Sequence, residues 1–126
     1  WREIAVSNFE QPQARYGHSM AWVKTSKSPH VESQGFLVVF GGFDFIAKKS
    51  LGDTWIMSLS HHSWERVIQD VGVPEARHNH AMVSRDDYIY MHGGVSSQGY
   101  NDLWRLNMQD KIWSQMNAPS IAPPNR

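Results

Sequence analysis

The sequence predicts an all-β fold made of two copies of one four-stranded antiparallel unit, and three observations carry that expectation. An ordered set of landmark residues occurs twice along the 126 residues. The stretches between landmarks are short, with period-two alternation or uninterrupted aromatic and β-branched runs, as strands require. Diglycines and polar clusters punctuate those stretches, as turns require.

The first copy reads Pro12, Arg15, His18, Met20, then Phe36-Leu37-Val38-Val39-Phe40-Gly41-Gly42, then Leu51-Gly52-Asp53-Thr54-Trp55, then Trp64. The second reads Pro74, Arg77, His80, Met82, then Tyr88-Ile89-Tyr90-Met91-His92-Gly93-Gly94, then Tyr100-Asn101-Asp102-Leu103-Trp104, then Trp113. Asp53 to Asp102, Trp55 to Trp104, Trp64 to Trp113, Pro74 to Pro123 and Arg77 to Arg126 are all 49 residues apart. Upstream, Pro12 to Pro74, Arg15 to Arg77 and His18 to His80 are 62 apart, so the first copy carries 13 extra residues. Gly41 to Gly93 is 52, which places ten of them before the diglycine and three after it.

This order of landmarks at a period near 50 resembles the kelch repeat, whose unit is one blade of a β-propeller. The resemblance is carried by Arg15-Tyr16-Gly17-His18-Ser19, by both diglycines, by both Asp-x-Trp segments and by Trp1, Trp64 and Trp113, and it covers nearly the whole chain. It implies a kelch-type propeller fragment: two four-stranded antiparallel blades plus the edges of the flanking blades, all parts of one domain. Residues 1–9 are expected to form the outer strand of a preceding blade, 15–67 the first full blade, 77–116 the second, and 123–126 the start of the next. Propellers close with about 4 to 8 blades. The ends therefore read as the edges of an excerpt, with the missing blades supplied by the rest of the natural chain.

Residue chemistry supports each strand separately. Residues 16–23 alternate Gly17, Ser19 and Ala21 with His18, Met20 and Trp22, a strand whose small side can approach another sheet. Asn79, Ala81 and Val83 repeat the small side in the second copy. Residues 36–40 and 88–91 are uncharged, aromatic and β-branched, as in a second strand buried on both faces. The diglycine closing each is expected to be a turn with tight packing around it. A phosphate-cradling loop is the competing reading, but neither diglycine opens an amphipathic helix or precedes Lys-Ser or Lys-Thr. Residues 55–59 and 104–108 form the third strand, and polar turns at 60–63 and 109–111 lead into Trp64 and Trp113 on the fourth.

Composition narrows the function. Twelve basic residues balance twelve acidic ones, so the electrostatic footprint of a nucleic-acid binder is missing. The absence of cysteine removes disulfides and thiolate metal sites and is compatible with the cytosol. No apolar run approaches the ~18 residues of a membrane-spanning helix.

Several residues could carry chemistry. His78-x-His80 with His92 has spacing suited to zinc or iron, but Tyr16 and Phe40 stand at the first-copy positions of His78 and His92, and only His18/His80 recurs. A recurrent histidine reads as a packed, hydrogen-bonded part of the fold. Arg15, Arg77, Asp53 and Asp102 recur too and read as staples within or between blades, with the pairing left open. Trp55, Trp104, Trp64 and Trp113 read as packing between blades. No nucleophile elbow, Ser-His-Asp set or carboxylate pair emerges, and no cofactor is expected.

The non-repeating residues point to binding, because scaffolds display function on loops. Tyr16, His78 and Asn79 belong to one face with Phe43-Asp44-Phe45 and Val95-Ser96-Ser97-Gln98 beside them, the face that often contacts partners in kelch proteins. The candidate partner-binding residues are Tyr16, Phe43, Asp44, Phe45, His78, Asn79, Ser96 and Ser97. Phe43 and Phe45 either anchor a partner or pack under their own loop. The resemblance implies a protein-interaction module, a scaffold or recognition domain for a protein or peptide. The alternative is a metal-dependent kelch-fold enzyme with its site at the hub.

Overall fold

A computed structural model describes residues 2–6, 10–24 and 35–116. Trp1, residues 7–9, most of the insertion between the first two strands, and residues 117–126 with Pro123 and Arg126 lie outside the described residues. Eight strands are formed: β1 (Ser19–Val23), β2 (Phe36–Asp44), β3 (Lys49–Ser58), β4 (Ser63–Arg66), β5 (Ala81–Arg85), β6 (Tyr88–His92), β7 (Leu103–Asn107) and β8 (Ile112–Met116). They make two four-stranded antiparallel sheets, β1-β2-β3-β4 and β5-β6-β7-β8, each a meander in chain order.

The period-two pattern decides which faces meet. Register places Ala21, Val38 and Ile56 side by side on one face of the first sheet, with Val23 and Phe40 in the same plane. On the second sheet Met82, Met91 and Trp104 are aligned, as are Ile89, Leu106 and Trp113. These two faces share a single apolar cluster, and the innermost strand β1 lies against β5 and β6. The small side of β1 is thus the side that touches the next sheet. Apolar surface removed from water at ~25 cal/mol per Å² is the main force holding the sheets together.

Polar contacts from side chains are set into this apolar seam. The Trp113 indole Nε1 donates to Thr54 Oγ1 at 2.9 Å, and His80 Nε2 lies 3.0 Å from the Phe40 carbonyl. The Phe40 ring packs edge-on against both His80 and Trp113, with centroids 5.3 and 5.4 Å apart. At the rim, the Gln69 side chain acts as a surrogate strand: Trp113 N–H donates to its Oε1 at 2.8 Å while its Nε2 donates to the Trp113 carbonyl at 3.2 Å. The outer edge of β8 is thereby partly covered, which restrains edge-to-edge pairing.

The opposite faces carry Met20 and Trp22 on the first sheet and Val83 and Ile112 on the second, all exposed among the described residues. On the second, Arg105 stacks 4.5 Å from the Tyr88 ring centroid.

Three expectations need correction. In the first copy the diglycine does not end its strand: β2 continues to Asp44 with a bulge between Phe40 and Gly42, and the turn falls at residues 45–48. The three residues inserted after this diglycine lengthen the hairpin, so β3 starts at Lys49 and not at Trp55. In the second copy β6 ends at His92 and Gly93-Gly94 leave the ladder. The first strand of each sheet is also shorter than its alternation suggests, beginning at Ser19 or Ala81, while Tyr16 and His78 make isolated bridges. Finally, residues 88–91 are not buried on both faces, since Tyr88 and Tyr90 are only half-buried on the open side.

Candidate functional site

The loop face is built on a staple that is written twice. Arg77 is completely buried. Its guanidinium grips both oxygens of Asp102 at 2.5 and 2.9 Å, and it donates to the Gly93 carbonyl at 3.1 Å and the Glu75 carbonyl at 3.0 Å. Asp102 also accepts from the Trp104 indole at 2.8 Å, and the Tyr100 ring covers the guanidinium at 4.0 Å. Arg15 repeats the arrangement with Asp53 at 2.6 and 2.9 Å, the Gly41 and Gln13 carbonyls at 3.1 Å, and the Trp55 indole on Asp53 at 2.8 Å. Each Arg therefore meets the Asp of its own sheet, joining the entry to the innermost strand with the diglycine and with an Asp that lies within β3 in the first copy and just before β7 in the second. Burial acts to raise the Asp53 and Asp102 carboxyls, but hydrogen bonds from the arginines and tryptophans outweigh it and hold both below the ordinary carboxylate range.

The same segments stitch the two sheets through the backbone. Gly42 N–H donates to the Arg77 carbonyl at 2.9 Å, Arg77 N–H to Leu51 at 3.1 Å, and Asn79 N–H to Gly17 at 2.8 Å. His80 completes the set. Burial pushes its imidazole down to about 4 from the usual 6.5, helped by the nearby Arg77 charge and opposed by the bond to the Phe40 carbonyl. A carbonyl only accepts, so Nε2 carries the proton, and the lowered pKa leaves the ring uncharged near neutral pH.

The sign of the pH effect follows. The unfolded chain protonates His80 below about 6.5 and the folded chain only below about 4, so the unfolded state binds more protons between these values. Stability from this group is complete above about pH 6.5 and is lost as pH falls toward 4, on the order of 3 kcal/mol in all at ~1.4 kcal/mol per unit. Urea melts of the full-length protein at several pH values are expected to show that decline and to show it reduced in His80→Gln. An equal decline in the variant would place the titration elsewhere.

Above these staples the candidate residues gather in two groups. Tyr16 and Phe43 exchange backbone hydrogen bonds of 3.2 and 2.7 Å, and their rings lie 5.4 Å apart. The His78 ring also meets Phe43, edge-on at 5.2 Å, and Ser50 Oγ is hydrogen-bonded to His78 Nδ1 at 2.9 Å. His78 in turn pairs through its backbone with Val95 at 2.9 Å in both directions. Tyr16, Phe43, His78 and Val95 thus form one band across both sheets, with Tyr16 52 % exposed. Asn79 sits beside it, exposed and with φ of 58°.

The second group is the β2–β3 turn. Asp44 is occupied in holding it: Oδ1 accepts from Ile46 and Ala47 N–H at 2.9 and 3.0 Å, and Oδ2 accepts from Gln13 at 2.6 Å. Those backbone bonds lead the causes that lower its pKa. Phe45 is thrown outward, 70 % exposed. The two phenylalanines therefore part company, Phe43 packed in the band and Phe45 projecting from the tip. Ser96 and Ser97 lie exposed in the corresponding loop of the second sheet, which Ser96 N–H closes on the Gln98 carbonyl at 2.9 Å.

The histidines considered for a metal do not converge. His78 faces Phe43 and Ser50, His80 points into the seam, and His92 lies on the other face of its sheet. Among the described residues, no group of three or more His, Cys, Asp or Glu is placed to hold a metal ion. Sequence reasoning missed Ser50, Gln13 and Gln69, which have no counterpart in the landmark set, and Ile46, which follows directly on the Phe43-Asp44-Phe45 segment.

Comparison with known proteins agrees with this architecture. Residues 1–126 match the KLHDC2/KLHL20/DRC7 Kelch-repeats domain. Kelch domain-containing protein 10 of Rattus norvegicus is 25 % identical over 130 residues, covering 98 % of this chain and 29 % of that protein. The Homo sapiens protein of the same name is 25 % identical, with 98 % and 27 % covered. The flagellar outer arm dynein alpha chain of Chlamydomonas reinhardtii is 28 % identical over 131 residues, 98 % of this chain and 3 % of its own. The chain thus spans under a third of the kelch domain-containing relatives it matches. Two meandering four-stranded sheets, a twice-written Arg-Asp-Trp staple and a match along the full length together mean that this chain belongs to the KLHDC2/KLHL20/DRC7 Kelch-repeats domain family.

Proposed function

We propose that this segment is a protein-interaction module that holds a protein or peptide on its loop face, as part of a propeller whose remaining blades cover the open faces bearing Met20, Trp22, Val83 and Ile112. The band Tyr16-Phe43-His78 is the observation that carries this reading. It is aromatic, spans two blades and rests on buried staples, yet leaves Tyr16 half in water. Aromatic side chains fixed in that way lose little entropy when a partner covers them, which makes them efficient binding anchors. The repeated Arg, Asp and Trp residues support binding over catalysis, because their polar atoms are spent on one another.

The test is capture by the full-length protein. Tyr16→Ala is expected to weaken retention of its co-purifying partner about tenfold or more, the effect of losing one anchor of roughly 1.5–3 kcal/mol, while the melting temperature stays put. Undiminished retention with an intact fold would remove the band from the binding surface.

A further inference from the structure

We propose that the β2–β3 tip is a preformed plug for an acidic protein segment: Phe45 and Ile46 enter an apolar pocket of the partner while Lys48 and Lys49 face its carboxylates. This rests on the interaction-module reading and adds the chemistry of the partner.

Four observations converge on the tip. Phe45 and Ile46 are 70 % and 90 % exposed, adjacent in sequence and unshielded by the strands below them. The turn that presents them is fixed: Asp44 accepts from two backbone N–H groups, Gln13 holds the same carboxylate, and Lys48 closes the turn at φ of 55°. A constrained turn keeps both apolar side chains outward, so little ordering remains for the moment of binding.

The third observation is charge. Lys48 and Lys49 are exposed at the foot of the tip, and the one carboxylate within the turn, Asp44, has both oxygens engaged by Gln13 and backbone donors. With two lysines against that one carboxylate, the tip is apolar and carries a net positive charge on a chain whose formal charge is zero. Complementary potential on a partner means acidic residues around its pocket, and such pairs steer encounter more than they add affinity.

The fourth is the contrast between copies. The corresponding loop of the second sheet is Val95-Ser96-Ser97-Gln98-Gly99, uncharged and without an exposed aromatic residue. Nothing in the blade fold demands Phe-Ile-Ala-Lys-Lys at this position. Two large apolar side chains in water are a standing liability for solubility unless a partner covers them.

A random peptide library displayed on phage, selected against the full-length protein, tests the proposal. The expected winners combine Asp or Glu with Phe, Leu, Ile or Trp. Their affinity should fall by at least about tenfold in Phe45→Ser/Ile46→Ser. It should fall several-fold in Lys48→Glu/Lys49→Glu, and again as salt rises from about 50 to about 500 mM. Melting temperatures should be unchanged, because these side chains are exposed. Recovery of only neutral or basic peptides, recovery of none, or tip-dependent sedimentation with phosphatidylserine vesicles would overturn it. Acidic peptides that ignore both tip variants but are lost in Tyr16→Ala would also end it, and would leave the interaction module standing; peptides insensitive to all three variants would end both.

Discussion

Arg77→Ala should destabilise the full-length protein by about 3–5 kcal/mol, the range measured when one partner of a buried ion pair is removed. The side chain is entirely buried, and its loss removes hydrogen bonds from four acceptors at once: both oxygens of Asp102 and the carbonyls of Glu75 and Gly93. Asp102 would keep the Trp104 indole but lose the cation that offsets its burial. The Tyr100 ring would lose the group it covers. Arg77→Lys should recover only part of the loss, since an ammonium cannot grip a carboxylate with two parallel bonds. Urea denaturation reads both variants, and a change of under about 1 kcal/mol in Arg77→Ala would mean that the staple is ornamental.

Gly41→Ala is the second large effect, expected at about 3 kcal/mol or more from left-handed strain and overpacking together. Gly41 has φ of +68°, and an added Cβ would stand 2.6 Å from the Arg77 carbonyl oxygen and 2.9 Å from His80 Cε1. Neither neighbour can yield: the first is backbone stitched to Gly42, and the second is held in the seam by the Phe40 carbonyl. Gly72→Ala is the internal comparison. Its φ is +71°, but its Cβ would meet only Gln69 Nε2 at 3.7 Å, so it should cost only about 1 kcal/mol. Equal losses for the two would show that conformation alone, and not contact across the seam, explains the diglycine. Loss measured by urea denaturation of the full-length protein decides between them.

These two variants mark what was legible in the sequence. The landmarks with a fixed spacing were readable because each answers a demand of the fold that every blade repeats. Arg15 and Arg77 tie the diglycine carbonyl to the Asp of their own sheet, and the Trp two residues later completes the bond set. Recurrence cannot report direction, so spacing alone left the Arg–Asp pairing open between intra-blade and inter-blade alternatives. His80 is packed in the seam on a backbone carbonyl of the other sheet, and backbone acceptors carry no sequence mark, whereas His18 at the matching position of the first copy is exposed and not packed as its recurrence suggested.

Strand ends were least legible where the copies differ in length. The first diglycine sits inside β2, since three extra residues extend the hairpin past it, and the local glycine signal gave the opposite impression. At the loop face, sequence named Tyr16, Phe43, Asp44, Phe45, His78, Asn79, Ser96 and Ser97 without their division of labour. Asp44 organises the turn, Phe43 belongs to the band with Tyr16 and His78, and Phe45 projects. What separates these roles is the turn geometry around residues 44–48, which depends on Gln13, 31 residues upstream.

Everything rests on the two sheets packing as consecutive blades across one seam, and an experimental structure of the full-length protein examines that most directly. It should find His80 Nε2 on the Phe40 carbonyl, the Trp113 indole on Thr54, and both sheets at successive positions around a shared axis. Phe40, His80 and Trp113 facing solvent, or buried against some other part of the protein, would contradict it.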